Sequence, residues 1–179
     1  MINYQLLQNS IEYYNKLGFV RIETPWMVSE YVDNLTKPNH IISSQLKHNN
    51  ECLVASGEQS FLELYLKNYL PKGKFQTITP CFRIEEIDFL HSKNFMKNEL
   101  IITDNPTDKE LNILVENCLL FFQKELPKAY VKKTDIGFDI EINNYELGSY
   151  GIRQTEFLTW IYATGCAEPR FSTLINMYK

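Results

Sequence analysis

The sequence predicts an α+β domain, an antiparallel sheet flanked by helices. Three observations carry that prediction. Residues 107–126, "TDKELNILVENCLLFFQKEL", repeat apolar residues at helical spacing. "DIGFDIEI" alternates apolar and polar residues, as a half-buried strand does. The strand-like segments follow one another as hairpins with few helices between them, the order of an antiparallel sheet.

Each element has a local reason. Tyr4, Leu7, Ile11 and Tyr14 recur at helical spacing, and Gly18 stands where such a helix ends. "FVRIETP" reads as a strand stopped by Pro25. A helix is expected over about Glu58 to Leu70, with Phe61, Leu62, Tyr65, Leu66 and Tyr69 on one side. The strongest helix begins at Thr107, which forms a capping box with Glu110, and carries Leu111, Leu114, Cys118, Leu119 and Phe122 as its stripe. In "DIGFDIEI", Ile136, Phe138, Ile140 and Ile142 are expected to face the core, and Asn143-Asn144 suits a tight turn into "YELGSYGIR".

Composition narrows the function classes. The 179 residues, 44% hydrophobic and 22% charged, suit one folded domain over residues 1–179. No apolar run approaches a membrane span, and "MINYQLLQNS" lacks the blocks of a signal peptide. Cys52, Cys81, Cys118 and Cys166 are widely spaced, which reads as reduced thiols in a cytoplasmic protein. The net charge of −4 argues against a dedicated non-specific nucleic-acid binder.

Chemistry concentrates in two segments that read as one hairpin. "KFQTITPCFRIE" projects Phe75, Thr77, Thr79, Cys81, Arg83 and Glu85 to one face, and "FMKNELII" does the same with Phe95, Lys97, Glu99 and Ile101. Paired through a loop at Glu86 to Asn94, they bring together a guanidinium fork, an aromatic face and carboxylates. That set suits a nucleotide. Taken alone, it suits better an amphipathic hairpin with a solvated charged face.

"PCFRIEE…HSKNFMKNEL" resembles motif 2 of the class II aminoacyl-tRNA synthetases, F-R-x-E, a variable loop, then phenylalanine and an acidic residue. "LGFVRIETPWMVSE" resembles their motif 1, and "TGCAEPRFSTLI" resembles motif 3, with an arginine where strand meets helix. The three occur in order across nearly the whole chain. "LVASGEQSFLELYL" is similar to the T-x-E loop of the seryl, threonyl and prolyl subgroup, with Ser56 and Glu58 at the matching places. "YELGSYGIRQ" resembles the strand before motif 3, and a similar G-I-R strand occurs in ammonia-dependent asparagine synthetase A.

The resemblance implies a sheet of about six antiparallel strands and ATP-dependent activation of an amino acid to an adenylate, with Mg²⁺. Under it, Arg83 binds the carboxylate and the α-phosphate, Glu85 accepts from the adenine amino group, and Phe95 stacks on adenine. Arg170 holds the γ-phosphate, and His91 is a loop position that touches ATP. Glu146 and Ser149 hold Mg²⁺ and phosphates; being three apart, they share a face only if Gly148 permits a bulge. Ser56, Glu58 and Glu99 belong to the amino-acid side, with Glu58 paired to the α-ammonium. Glu58 also fits as a first-turn acid favoured by the helix dipole, and Phe95 as a core residue. Motif 1 implies a homodimer through the Gly18–Pro25 region.

Two features depart from the family pattern. Ala167 stands where motif 3 usually has a second glycine, and the length leaves no room for an anticodon-binding domain. The acceptor is therefore open: a tRNA acceptor end, served by a rim of Lys72, Lys74, Lys93 and Lys97 that a dimer gathers around the cleft, or another molecule. Some relatives hold zinc with a Cys, Glu, Cys set. Cys81 and Cys166 flank the two arginines without diagnostic ligand spacing. Two other readings remain, a non-catalytic dimeric or regulatory protein and an amide-forming ligase like asparagine synthetase A.

Overall fold

A computed structural model describes residues 1–37, 50–84, 88–90 and 92–179. Its elements are α1 (Tyr4–Asn15), β1 (Val20–Arg21), β2 (Met27–Ser29), α2 (Glu30–Thr36), β3 (Glu51–Leu53), α3 (Gly57–Leu66), β4 (Lys74–Phe82), β5 (Asn94–Ile102), α4 (Asp108–Gln123), β6 (Tyr130–Thr134), β7 (Gly137–Ile142), β8 (Tyr145–Gln154), β9 (Thr159–Glu168) and α5 (Arg170–Tyr178). Seven strands form one sheet in the order β1-β4-β5-β9-β8-β7-β6. Every pairing is antiparallel except β1 with β4, and β2 pairs with β3 as a separate ribbon. The α+β expectation holds, with one parallel edge strand added. Among the described residues no helix is long and apolar enough to cross a membrane.

Two cores lie on opposite faces of this sheet. On one, Leu7 and Tyr14 of α1, the α4 stripe of Leu111, Leu114, Val115, Cys118, Phe121 and Phe122, and Phe171 and Leu174 of α5 cover Leu100, Ile102, Ile140 and Ile161. On the other, Phe61 and Leu62 of α3 and Val28 of β2 cover Phe75, Ile101 and Trp160. These helices cover the first face broadly. On the second, α3 leaves uncovered the part that carries Arg83, Lys97, Glu146 and Arg153, and this part forms the cleft.

The caps and turns follow the sequence cues. Gly18 takes φ +88 just past α1, and Phe19 N–H donates to Tyr14 C=O to close the helix end. Thr107 caps α4 by accepting from Glu110 N–H at 3.3 Å, while the Glu110 carboxylate reaches Lys74 instead of completing the box. Asn143 and Asn144 both take positive φ, as the tight β7–β8 turn requires.

Two core assignments fail. Ile136 is 73% exposed, because β7 begins one residue later at Gly137 and leaves Ile136 in the preceding turn. Tyr69 is 75% exposed. Asn68 enters the left-handed region at φ +59 and ends the helix before Tyr69 can join its face.

Two bulges aim the site. Between Asn98/Cys166 and Glu99/Thr164, β9 holds one extra residue, Gly165. The extra residue sends both Thr164 and Ala167 to the cleft while Ala163 and Cys166 stay in the core. A Cβ on Gly165 would stand 2.9 Å from the Tyr14 ring and 3.1 Å from Asn98 C=O, so the close approach requires glycine. In β8 the register shifts at Ile140/Glu141, with Leu147 as the extra residue. Glu146 and Ser149 thereby share the cleft wall despite their spacing. The neighbouring Gly148 has no room for a Cβ, which would meet the Tyr150 hydroxyl at 2.6 Å.

Candidate active site

The hairpin forms as the alternation predicts. Cys81 lies opposite Phe95, Thr79 opposite Lys97, and Thr77 opposite Glu99, all on one face. Arg83 continues β4 by donating its N–H to Lys93 C=O at 2.8 Å. Its Nε donates to Ala55 C=O at 3.1 Å, and its guanidinium carbon lies 5.1 Å from the Phe95 ring centroid. Two anchors thus orient the guanidinium before any substrate arrives, which lowers the cost of binding an anion there.

Two adjoining cavities occupy the cleft. One is lined by Phe95, Leu147, Ala167, Pro169 and Arg170, the other by Ser56, Glu58, Glu99, Ser149, Arg153 and Tyr162. Four residues border both: Arg83, Lys97, Glu146 and Thr164. Arg83 therefore stands where the contents of the two cavities would touch.

Three acidic residues of the cleft, Glu146, Glu99 and Glu58, each face a cation. Glu146, on β8, accepts from Arg170 at 2.9 Å; Arg170 opens α5. Glu99 is almost fully buried and accepts from Lys97 Nζ at 3.0 Å on Oε1 and 2.9 Å on Oε2. The Ser56 hydroxyl donates to the same Oε2 at 2.6 Å. It also caps α3 by accepting from Glu58 N–H. Glu58 has both oxygens engaged, Oε1 by Trp160 Nε1 at 2.6 Å and Oε2 by Arg153 at 2.5 Å. Burial pushes the Glu58 carboxyl above its ordinary value of 4.5, against the opposing pull of Arg153 and the indole N–H. Arg153 in turn packs its guanidinium 4.4 Å from the Tyr162 ring centroid.

The structure brings together Arg83, Phe95, Glu146, Ser149, Arg170, Ser56, Glu58 and Glu99 from the sequence analysis. Glu85 and His91 lie outside the described residues. Sequence reasoning missed Arg153, although the quoted G-I-R strand contains it and the β8 bulge sets it on the same wall as Glu146. Lys97 sits inside the cleft, on the face it shares with Phe95 and Glu99, rather than on its rim. Of the other lysines named for a rim, Lys74 opens β4 at the end away from Arg83 and pairs with Glu110.

The cysteines do not share a metal. Cys81 projects to the face of Phe95 and Lys97, whereas Cys166 lies in the core of the opposite face. Among the described residues no cluster of three or more His, Cys, Asp or Glu side chains could hold a metal ion. Burial holds Cys81 at about 11 and Cys118 at about 12, and raises Cys166 and Cys52 as well. All four thiols are buried and should stay neutral and unalkylated by iodoacetamide at pH 8 in the native protein, and react fully in denaturant. Intact-protein mass spectrometry checks this. Rapid native labelling of Cys81 would show the cleft floor to be open.

Residues 1–136 of the chain match the family model for tRNA synthetases class II (D, K and N). The chain belongs to this family. A lysine–tRNA ligase from Saccharolobus solfataricus is 28% identical over 152 residues, 84% of this chain but 28% of that protein's length. Among solved structures, pyrrolysyl-tRNA synthetase from Desulfitobacterium hafniense aligns with a TM-score of 0.76 at 15% identity, covering 98% of this chain and 70% of that one. Seryl-tRNA synthetase from Pyrococcus horikoshii, complexed with ATP, aligns at 0.75 and 16% identity, over 95% of this chain and 48% of that one. At these identities the structures show the fold, that of a class II synthetase catalytic core. The seryl-type likeness in the sequence has its counterpart there, while the family model is that of the D, K and N group.

Proposed function

We propose that the cleft binds ATP with Mg²⁺ in the Phe95–Arg170 half and an amino acid in the Glu58–Glu99 half, and joins them as an aminoacyl-adenylate. The observation that carries this reading is the junction, where Arg83, held by Ala55 C=O and Phe95, borders both cavities.

An oxygen of the substrate carboxylate attacks the α-phosphorus, the bond to the β-phosphate oxygen breaks, and pyrophosphate leaves. The chain need supply no nucleophile. Arg83 meets the charge that builds at the α-phosphate, and Phe95 offers its ring to the base. Arg170 meets the γ-phosphate. Glu146 and Ser149 are hard oxygen donors on one wall, a set that fits Mg²⁺ bound through one carboxylate and the phosphates. The metal would screen the phosphate charge. Glu85 and His91 are proposed nucleotide contacts from the motif 2 loop. Ser56 orients Glu99 toward the ammonium. Glu58, fixed by Trp160 and Arg153, shapes the far wall instead.

Amino-acid-dependent exchange of labelled pyrophosphate into ATP, run across the twenty amino acids, tests this reading. Exchange with one or a few amino acids is expected. No exchange, together with no calorimetric binding of ATP with Mg²⁺, would sink it. Adding ammonia and looking for an amide product separates the adenylate reading from the amide-ligase reading, and adding total tRNA to the same mixture reports whether the acyl group reaches an acceptor end.

A second copy of the chain is the proposed partner at the β1 edge. Val20 is 56% exposed on that edge strand, and Trp26, Met27 and Tyr31 are exposed close by in sequence. A strand edge with no partner among the described residues, followed in sequence by exposed aromatics, needs cover, whereas the opposite edge at β6 is guarded by Lys132 and Lys133. An isologous dimer through Gly18–Pro25 supplies it. Light scattering at micromolar concentration should give twice the chain mass, and a monomer mass would refute the dimer.

A further inference from the structure

Lys97 is a cation of the cleft whose chemistry the adenylation reading leaves unused. Its ammonium lies within 3.0 Å of both Glu99 oxygens, its side chain is 11% exposed, and it borders both cavities beside Arg83. Glu99 is held from the other side by Ser56, so its carboxylate is fixed while the lysine stem keeps its rotatable bonds. The pair is thus a fixed anion and a movable cation at the point where the two cavities meet.

Such a pair is the mirror of a zwitterion. An α-amino acid entering between them can give its ammonium to Glu99 and its carboxylate to Lys97. One buried ion pair becomes two, and no charge is left without a partner. A ligand with the carboxylate alone would draw Lys97 away and strand Glu99. A ligand with the ammonium alone would displace Lys97 with nothing to receive it. Either half-match leaves a buried charge uncompensated, which is far costlier than the exchange. Arg170 and Glu146 show the same arrangement in the other cavity, a cation and an anion paired across the place where phosphate and metal are read to bind.

We infer that Lys97 is the receptor for the substrate's carboxylate, and that the Lys97–Glu99 pair selects zwitterions by opening around them. This rests on the reading of the Glu99 cavity as the amino-acid half. It divides the labour at the junction: Lys97 takes the carboxylate before reaction, leaving Arg83 free for the α-phosphate.

Equilibrium binding without ATP tests the inference apart from catalysis. The twenty L-amino acids are titrated calorimetrically into the intact protein, and the tightest binder is compared with its decarboxylated amine and its desamino acid. Each half-ligand should bind about 10–100-fold more weakly, the equivalent of one lost charged hydrogen-bonding partner. In Lys97→Met the order changes: the amino acid weakens by a similar factor, whereas the amine tightens because Glu99 is released. A merely structural lysine would not produce that crossing. Lys97→Arg keeps the cation and should retain the zwitterion preference, which guards against a Met variant that fails to fold. The inference is overturned if the desamino acid binds as well as the amino acid, if Lys97→Met weakens amine and amino acid alike, or if no amino acid binds. Titration of ATP with Mg²⁺ in the same series reports separately on the nucleotide half, so failure there is distinguishable.

Discussion

Arg83→Ala should lower the rate of pyrophosphate exchange by roughly 10²–10³-fold, on the order of 2.7–4 kcal/mol of transition-state stabilisation, as when an oxyanion donor is lost. The size follows from position and preparation. Arg83 borders both cavities, so it meets charge at the α-phosphate only as the two substrates react. Its guanidinium is already oriented by Ala55 C=O and the Phe95 ring, so little ordering remains when charge develops. Arg83→Lys should recover little of the rate, because an ammonium cannot keep the Ala55 bond and face the phosphate with a planar fork. The fold should barely notice. One half-exposed hydrogen bond and one cation–π contact are lost, on the order of 1 kcal/mol together. Steady-state exchange kinetics beside a thermal melt separate the two effects. A variant that keeps full exchange activity with an unchanged melt would remove Arg83 from the reaction.

Which parts of this site the sequence reveals depends on the physics of each part. Alternation in β4 and β5 placed Arg83, Phe95 and Glu99 on one face, because period two is a local property of a strand and the hairpin register keeps it. Bulges break that rule. Thr164 and Ala167 of β9 share the cleft only because Gly165 is inserted, and nothing short of the Tyr14 and Asn98 contacts behind Gly165 reveals why a glycine stands there. Charge partners are less legible still. Lys97 read as a rim lysine, since the sequence cannot tell that a carboxylate two residues away on the same face will be buried with it. Arg153 and Glu58 are far apart in the chain and meet only when α3 packs on the sheet face to which β8 turns Arg153. Ile136 and Tyr69 failed for a local reason: β7 begins one residue after Ile136, and α3 ends three residues before Tyr69.

Glu58→Ala should destabilise the fold by on the order of 3 kcal/mol, the scale of breaking a buried pair by removing one partner. In a domain of this size that corresponds to a melting temperature roughly 6–12 °C lower. Three losses add up. The buried indole N–H of Trp160 loses its acceptor at 2.6 Å, Arg153 loses its counter-ion, and the start of α3 loses packed volume against β9. Glu58→Gln keeps an acceptor for Trp160 and most of the volume, so it should cost less than half as much at neutral pH. The pH dependence has a definite sign. Burial raises the Glu58 carboxyl above 4.5 in the fold, so the folded state holds its proton more tightly than the unfolded chain. That contribution to stability is complete below 4.5 and is lost as pH rises through the folded value. Relative to Glu58→Gln, the wild type should therefore lose stability as pH rises above 4.5, whereas Glu58→Ala stays the least stable throughout. Denaturant unfolding of the three proteins at several pH values measures both trends. If Glu58 were instead a free ligand for a substrate ammonium, held in the cleft at a cost to the fold, Glu58→Ala would melt at or above the wild-type temperature.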